Sequence, residues 1–266
     1  MSLQQRTVYP QNGSPVWLPV WWLCLLVSLV SGGVHGNAVH TPEAFDRVHY
    51  QLPYDVEFVL SDAPFVEASG GSLEDIRITV RRGELTLSQS RGWLSWMIAD
   101  ADDLRLTIGY TQLDGIILSG SGDVYARELD SDQIKLSVRG SGVMEAEQVS
   151  ANDLHLLSSG SGDIILHDVD VDTLNSAIKG SGDIQLRGTT NNFELSIQGS
   201  GDYLADKLRA QETQLSIQGS GDVTLWSEHS LDVSIMGSGN VTYYGNPRVT
   251  RSILGSGRVQ RAGSNR

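Results

Sequence analysis

Asp123, Asp163, Asp183, Asp202 and Asp222 each stand directly behind a Gly-Ser-Gly triplet. Acids held at one position of a stacked repeat form a column, and such a column has two chemical uses. Each carboxylate can accept a backbone N–H at a corner, as in an Asx-type turn. Alternatively, the column can supply oxygen ligands to a hard cation such as calcium. Like charges ~4.8 Å apart in water repel by about 0.9 kcal/mol per pair before screening, so one of these must offset the repulsion. Calcium-binding β-rolls separate the last glycine from the acid inside a nine-residue repeat. Here the acid abuts the glycine, and one carboxylate per coil falls short of the six to eight oxygens calcium takes. The turn role is the expectation, with these aspartates as the calcium candidates; Val143 interrupts the row.

Other residue types offer little for catalysis. The chain has no G-x-S-x-G and no H-E-x-x-H, and His155, His167 and His229 stand singly at offsets expected to face solvent. No catalytic residue and no cofactor is assigned. The remaining enzymatic possibility is a pair of acids converging across coils to cleave a glycan. Trp93 and Trp96 sit with Leu94, Met97 and Ile98 between Gly92 and Ala101. They are binding candidates, because exposed aromatics anchor glycans and proteins. The competing and favoured role is a lid over an open end or side of the fold.

The elements that position these groups come from one repeat. Gly-Ser-Gly opens at Gly120, Gly140, Gly160, Gly180, Gly199, Gly219, Gly237 and Gly255, with spacings of 20, 20, 20, 19, 20, 18 and 18. It closes at Gly122, Gly142, Gly162, Gly182, Gly201, Gly221, Gly239 and Gly257. Between triplets the apolar residues alternate in two short runs, the mark of half-buried strands. Val124 and Ala126, then Leu129, then Ile134, Leu136 and Val138 recur one coil later as Met144, Ala146, Val149, Leu154 and Leu156. A single coil cannot bury a core, but stacked coils can. The expectation is an all-β fold, a parallel β-helix or β-solenoid with ~20-residue coils; seven coils make a rod roughly 34 Å long. A hairpin-based barrel is the alternative. Each glycine is expected to admit positive φ and to let neighbouring coils approach closely.

Residues 45–118 lack the triplet but alternate, with Ile76, Ile78 and Val80 facing Leu85 and Leu87 across Arg81-Arg82-Gly83 as a hairpin. They are expected to form irregular first coils of the same core. Val16 to Val30 is apolar apart from Pro19 and Ser28, follows Arg6, and is too short for a membrane span. It suits a secretory signal cleaved after Gly36 or, preferably, Ala38; an uncleaved anchor is the alternative. The resulting layout is a signal peptide over residues 1–38, a linker over 39–44, a single solenoid domain over 45–262 with regular repeats from 119, and a tail over 263–266. The lone Cys24 leaves with the signal, so no disulfide holds the exported chain. Loss of Arg6 leaves 18 basic against 32 acidic residues, a charge of −14 that disfavours nucleic acid. After Asp232 only basic residues remain, among them Arg251 and Arg258, expected to blunt the last strand.

The run Gly237-Ser-Gly-Asn-Val-Thr-Tyr-Tyr-Gly-Asn-Pro, followed by Leu254-Gly-Ser-Gly-Arg-Val, resembles the ending of the head GIN domain family. With the Gly-Ser-Gly-Asp corners upstream, the resemblance covers residues 45–262. It implies a bacterial β-helical domain, periplasmic, secreted or on the cell surface, of the kind named auto-transporter adhesins. No run of barrel strands follows Ala262, so self-translocation is not expected. The expected function is structural or adhesive, toward an envelope protein or glycan; a carbohydrate-active or calcium-dependent glycan-binding module is the competing class.

Overall fold

The computed structural model describes residues 38–70, 73–90 and 104–262. They form a parallel β-solenoid of about seven turns with ~20-residue coils. Strands Met144–Ser158, Ile164–Ile178, Ile184–Gly199, Tyr203–Gly219 and Val223–Gly237 each run most of the way round one coil. Each pairs in parallel with the next at an offset of one repeat, as in Met144↔Ile164 and Leu154↔Leu174. Alternation then puts Val124, Met144, Ile164, Ile184, Tyr203 and Val223 in one buried column. All the inward columns merge into a single core running from Phe45 to Val241.

The Gly-Ser-Gly corners lie in line because nothing larger fits there. A Cβ placed on either glycine of any triplet would sit 1.9–2.4 Å from a backbone carbonyl oxygen of the preceding coil. Close approach is therefore required at every triplet. Positive φ is not: it occurs at the opening glycine only in the last four, Gly199, Gly219, Gly237 and Gly255. The shorter spacings are absorbed at the opposite corner. The 19-residue coil loses its residue next to Gly188, whose positive φ of 131° and missing Cβ let it stack directly beneath Val169.

The N-terminal region shares the core, but its stacking order differs from its chain order. Strand Arg47–Tyr50 pairs with Gly115–Leu118 on one side and with Glu84–Gln89 on the other. Strand Asp55–Leu60 likewise lies between Val124–Asp130 and Arg105–Tyr110. Residues 47–60 thus form a coil sandwiched between the first regular coil and a later stretch folded back over it. Leu52 and Tyr54 take the place of the missing triplet, their carbonyls lying against Gly120 and Gly122. The Ile76–Arg81 and Glu84–Gln89 strands form the expected hairpin, turning through Arg82 and Gly83, both at positive φ. Antiparallel strands Phe65–Ser69 and Ala38–His40 close this end.

At the other end the columns change character. Arg251 follows Val233, and Arg261 follows Tyr243, at inward-facing positions. Arg251 Nη1 comes within 3.5 Å of the Val259 carbonyl across the end of the core.

Two outcomes test this account. Gly180→Ala, at a corner where only the Gly160 carbonyl at 2.2 Å stands in the way, should lower unfolding free energy by about 3 kcal/mol in urea denaturation. Exposed Ser181→Ala should stay within ~0.5 kcal/mol. Arg251→Val should leave stability intact but produce concentration-dependent association in sedimentation, because it restores an apolar face to a strand paired on one edge only among the described residues.

Candidate functional site

The aspartates form a row beside the corners, and each carboxylate is used by the backbone. The Asp183 amide donates to Asp163 Oδ1 at 2.8 Å, Asp202 to Asp183 at 2.7 Å, and Asp222 to Asp202 at 2.8 Å. The row begins one coil before the first triplet, where the Asp123 amide donates to Asp55 Oδ1 at 3.0 Å, and continues with Val143 donating to Asp123 at 2.8 Å. It ends where Asn240 donates both backbone and side-chain amides to Asp222 Oδ1. The donor is thus on the following coil rather than at the acid's own corner. The reason is local: the Asp163 carbonyl points back and accepts the Met144 amide, so only the Asp163 side chain can serve Asp183. Val143 has no acceptor to offer the Asp163 amide, and that rung is missing.

The opposite corner repeats the device with side chains. Asp132 accepts from Asn152 Nδ2 at 3.3 Å, Asp170 from Thr189 Oγ1 at 3.0 Å, and Asp172 from Asn191 Nδ2 at 2.6 Å. Among the described residues no three His, Cys, Asp or Glu groups are placed to hold a metal ion. His155 and His229 are exposed, whereas His167 is not alone: its Nε2 lies 2.5 Å from Glu145 Oε1. Trp93 and Trp96 lie outside the described residues.

An aromatic clasp near the C-terminal coils was missed. Trp226 stacks on Tyr244 at 5.8 Å, carries the Arg209 guanidinium 4.4 Å from its ring, and donates Nε1–H to Glu228 at 2.7 Å. Both indole faces are covered, which makes the group a lock between coils rather than an open sugar platform. The signal was present: Tyr244 occupies the Trp226 offset one shortened coil later.

The outward side of the strands preceding the triplets carries a different feature. A recess of about 680 Å³ lies there, lined by Ile117, Lys135, Ser137, Arg139, His155 and Leu157 among others. Ile117, Ser137, Leu157, Ala177 and Ser196 pair in one outward column, one residue per coil. Ser137 is only 9% exposed, and its hydroxyl has no hydrogen-bond partner. His49 pairs with Ile117 at the head of the column. Burial, the largest influence, pushes its imidazole below the usual pKa, with Glu84 pulling it up and Arg139 down.

A family model described as "Putative auto-transporter adhesin, head GIN domain" matches residues 44–247. No curated protein matches the chain. Among solved structures, a "putative adhesin" of Parabacteroides merdae is similar at 23% identity and a TM-score of 0.78, with 86% of this chain and 96% of that one covered. A "putative adhesin" of Parabacteroides distasonis is similar at 22% identity and a TM-score of 0.78, covering 85% and 96%. A "putative lipid binding protein" of the same species is similar at 23% identity and a TM-score of 0.75, covering 86% and 96%. At these identities the likeness is one of fold.

The missing rung makes a measurable difference. Val143→Asn should raise stability by about 1 kcal/mol by giving the Asp163 amide an acceptor. Val143→Asp should gain less at low salt, since Asp123 and Asp163 each repel it by about 0.9 kcal/mol, and the gap should close as salt is added. In the same thermal melts, calcium and chelator should leave the midpoint unchanged.

Proposed function

The chain belongs to the head GIN domain family, and from that premise we propose that it is an exported, non-enzymatic solenoid that binds or adheres to a partner at the cell envelope. The observation that supports this most directly is how its acids are employed. The carboxylates recurring often enough to do chemistry accept amides of the next coil, so they serve the stack rather than a reaction. What the stack presents outward is columns of side chains at the strand spacing of ~4.8 Å, a surface suited to recognition over several coils.

In this reading residues 1–38 direct export and residues 45–262 act as one domain, periplasmic or cell-surface. Ala38 pairs with Ala68, so cleavage after Gly36 preserves that strand whole, whereas cleavage after Ala38 removes its first residue.

Fractionation of the native host tests the proposal. The protein should leave the cytoplasm with its N-terminus at residue 37 or 39, and the exported form should be retained by isolated envelope. Cytoplasmic protein that still begins at Met1, or a purified chain that turns over envelope polysaccharide, would overturn it.

A further inference from the structure

We propose that the recess over the outward column is a binding site for a single-chain anionic amphiphile, one acyl chain ending in a carboxylate; this deepens, and rests on, the binding reading above. Residues two apart on a strand face the same way, so Lys135 and Ser137 share the outer face, and Arg139, just past the strand's end, lines the same recess. Among the described residues neither cation is engaged in an ion pair, and Ser137 has a buried hydroxyl without a partner. These are two exposed cations and one unpartnered hydroxyl at alternate positions of a chain whose net charge is −13, and the acid in the lining, Glu194, stands three coils from Lys135. A carboxylate is complementary to all three.

The same column supplies the tail's surface. Ile117 on one side of Ser137 and Leu157 and Ala177 on the other are aliphatic, spaced by one coil each. From a head at Ser137 to Ala177 the column runs roughly 10 Å along the solenoid at ~4.8 Å per coil, with Ile117 beside the head on the other side. An extended acyl chain with its head at Ser137 lies along Leu157 and Ala177 with the carbons nearest the head. Two other occupants fit less well. A sugar platform uses aromatic rings, and this column has none. A peptide adding as a strand needs a free edge, whereas Gln133–Val138 is paired on both sides.

Calorimetric titration of the exported protein with laurate, held below its aggregation threshold, tests the site. One laurate per chain should bind, and dodecyl maltoside, with the same tail and no charge, should bind at least tenfold more weakly. The double variant Lys135→Ser/Arg139→Ser should lose at least tenfold in laurate affinity without a change in melting, and Leu157→Glu should abolish binding. If Leu157→Glu fails to fold, Ala177→Glu replaces it. Absence of saturable laurate binding, equal binding of the uncharged detergent, or binding that survives the glutamate variants overturns the proposal. Binding to anionic phosphatidylglycerol vesicles without binding of monomeric laurate also overturns it, since the face would then meet a membrane surface. Envelope retention of the same variants separates the two readings: retention with no laurate binding sinks only this site, whereas loss of retention in the wild type sinks the broader function.

Discussion

At every Gly-Ser-Gly corner a carbonyl of one coil occupies the space where a side chain on the next would have to begin. Parallel strands hydrogen-bond only when their backbones lie about 4.8 Å apart, and at a tight corner that spacing leaves no volume for a Cβ. Glycine at both ends of the triplet lets the backbones keep strand spacing through the turn. Once the corners are in line, the flanking residues have no register left to choose. The buried columns, the outward columns and the aspartate row all inherit their alignment from this contact.

The aspartate row shows how the same constraint creates a need and a solution. Turning the chain points one carbonyl per coil backward, toward the preceding coil, and leaves an amide ahead of it unserved. A short acid at that position reaches the amide without a longer loop. Like charges one coil apart repel, but a charge-assisted hydrogen bond to backbone is stronger than that repulsion in water. Asn240 closes the row as a neutral residue donating to Asp222, and Arg258, one coil on, follows it with the opposite charge.

A stack of identical coils could grow indefinitely, and both ends of this one carry exceptions. At the N-terminal end, strands 65–69 and 76–81 run antiparallel, so the parallel ladder stops there. At the C-terminal end arginines follow Val233 and Tyr243 at inward positions. Between the ends the outside is free to differ from coil to coil, because only inward residues and corners are constrained by stacking. Recognition is therefore sought on outward columns such as the one through Ser137, where identity is not dictated by the core.

Much of this was legible in the order of residues alone. The period of the triplets, the alternation between them and the Arg82-Gly83 turn define the solenoid, its columns and the hairpin, because each depends on residue types a fixed distance apart in the chain. The acids' use was half legible: the abutting Gly-Asp pointed to a backbone acceptor, but the partner one coil away is a neighbour only after stacking. The insertion of residues 47–60 between 84–110 and 115–126 was not legible at all, since no local pattern records which strand a segment will pair with. The recess has the same origin: Ile117, Ser137 and Leu157 are twenty residues apart, ordinary one by one, and become a surface only when the corner glycines bring their coils together. Local periodicity set the coil; the pairing of distant strands, a property of the folded chain as a whole, decided the order of the first coils and the chemistry of the outer face.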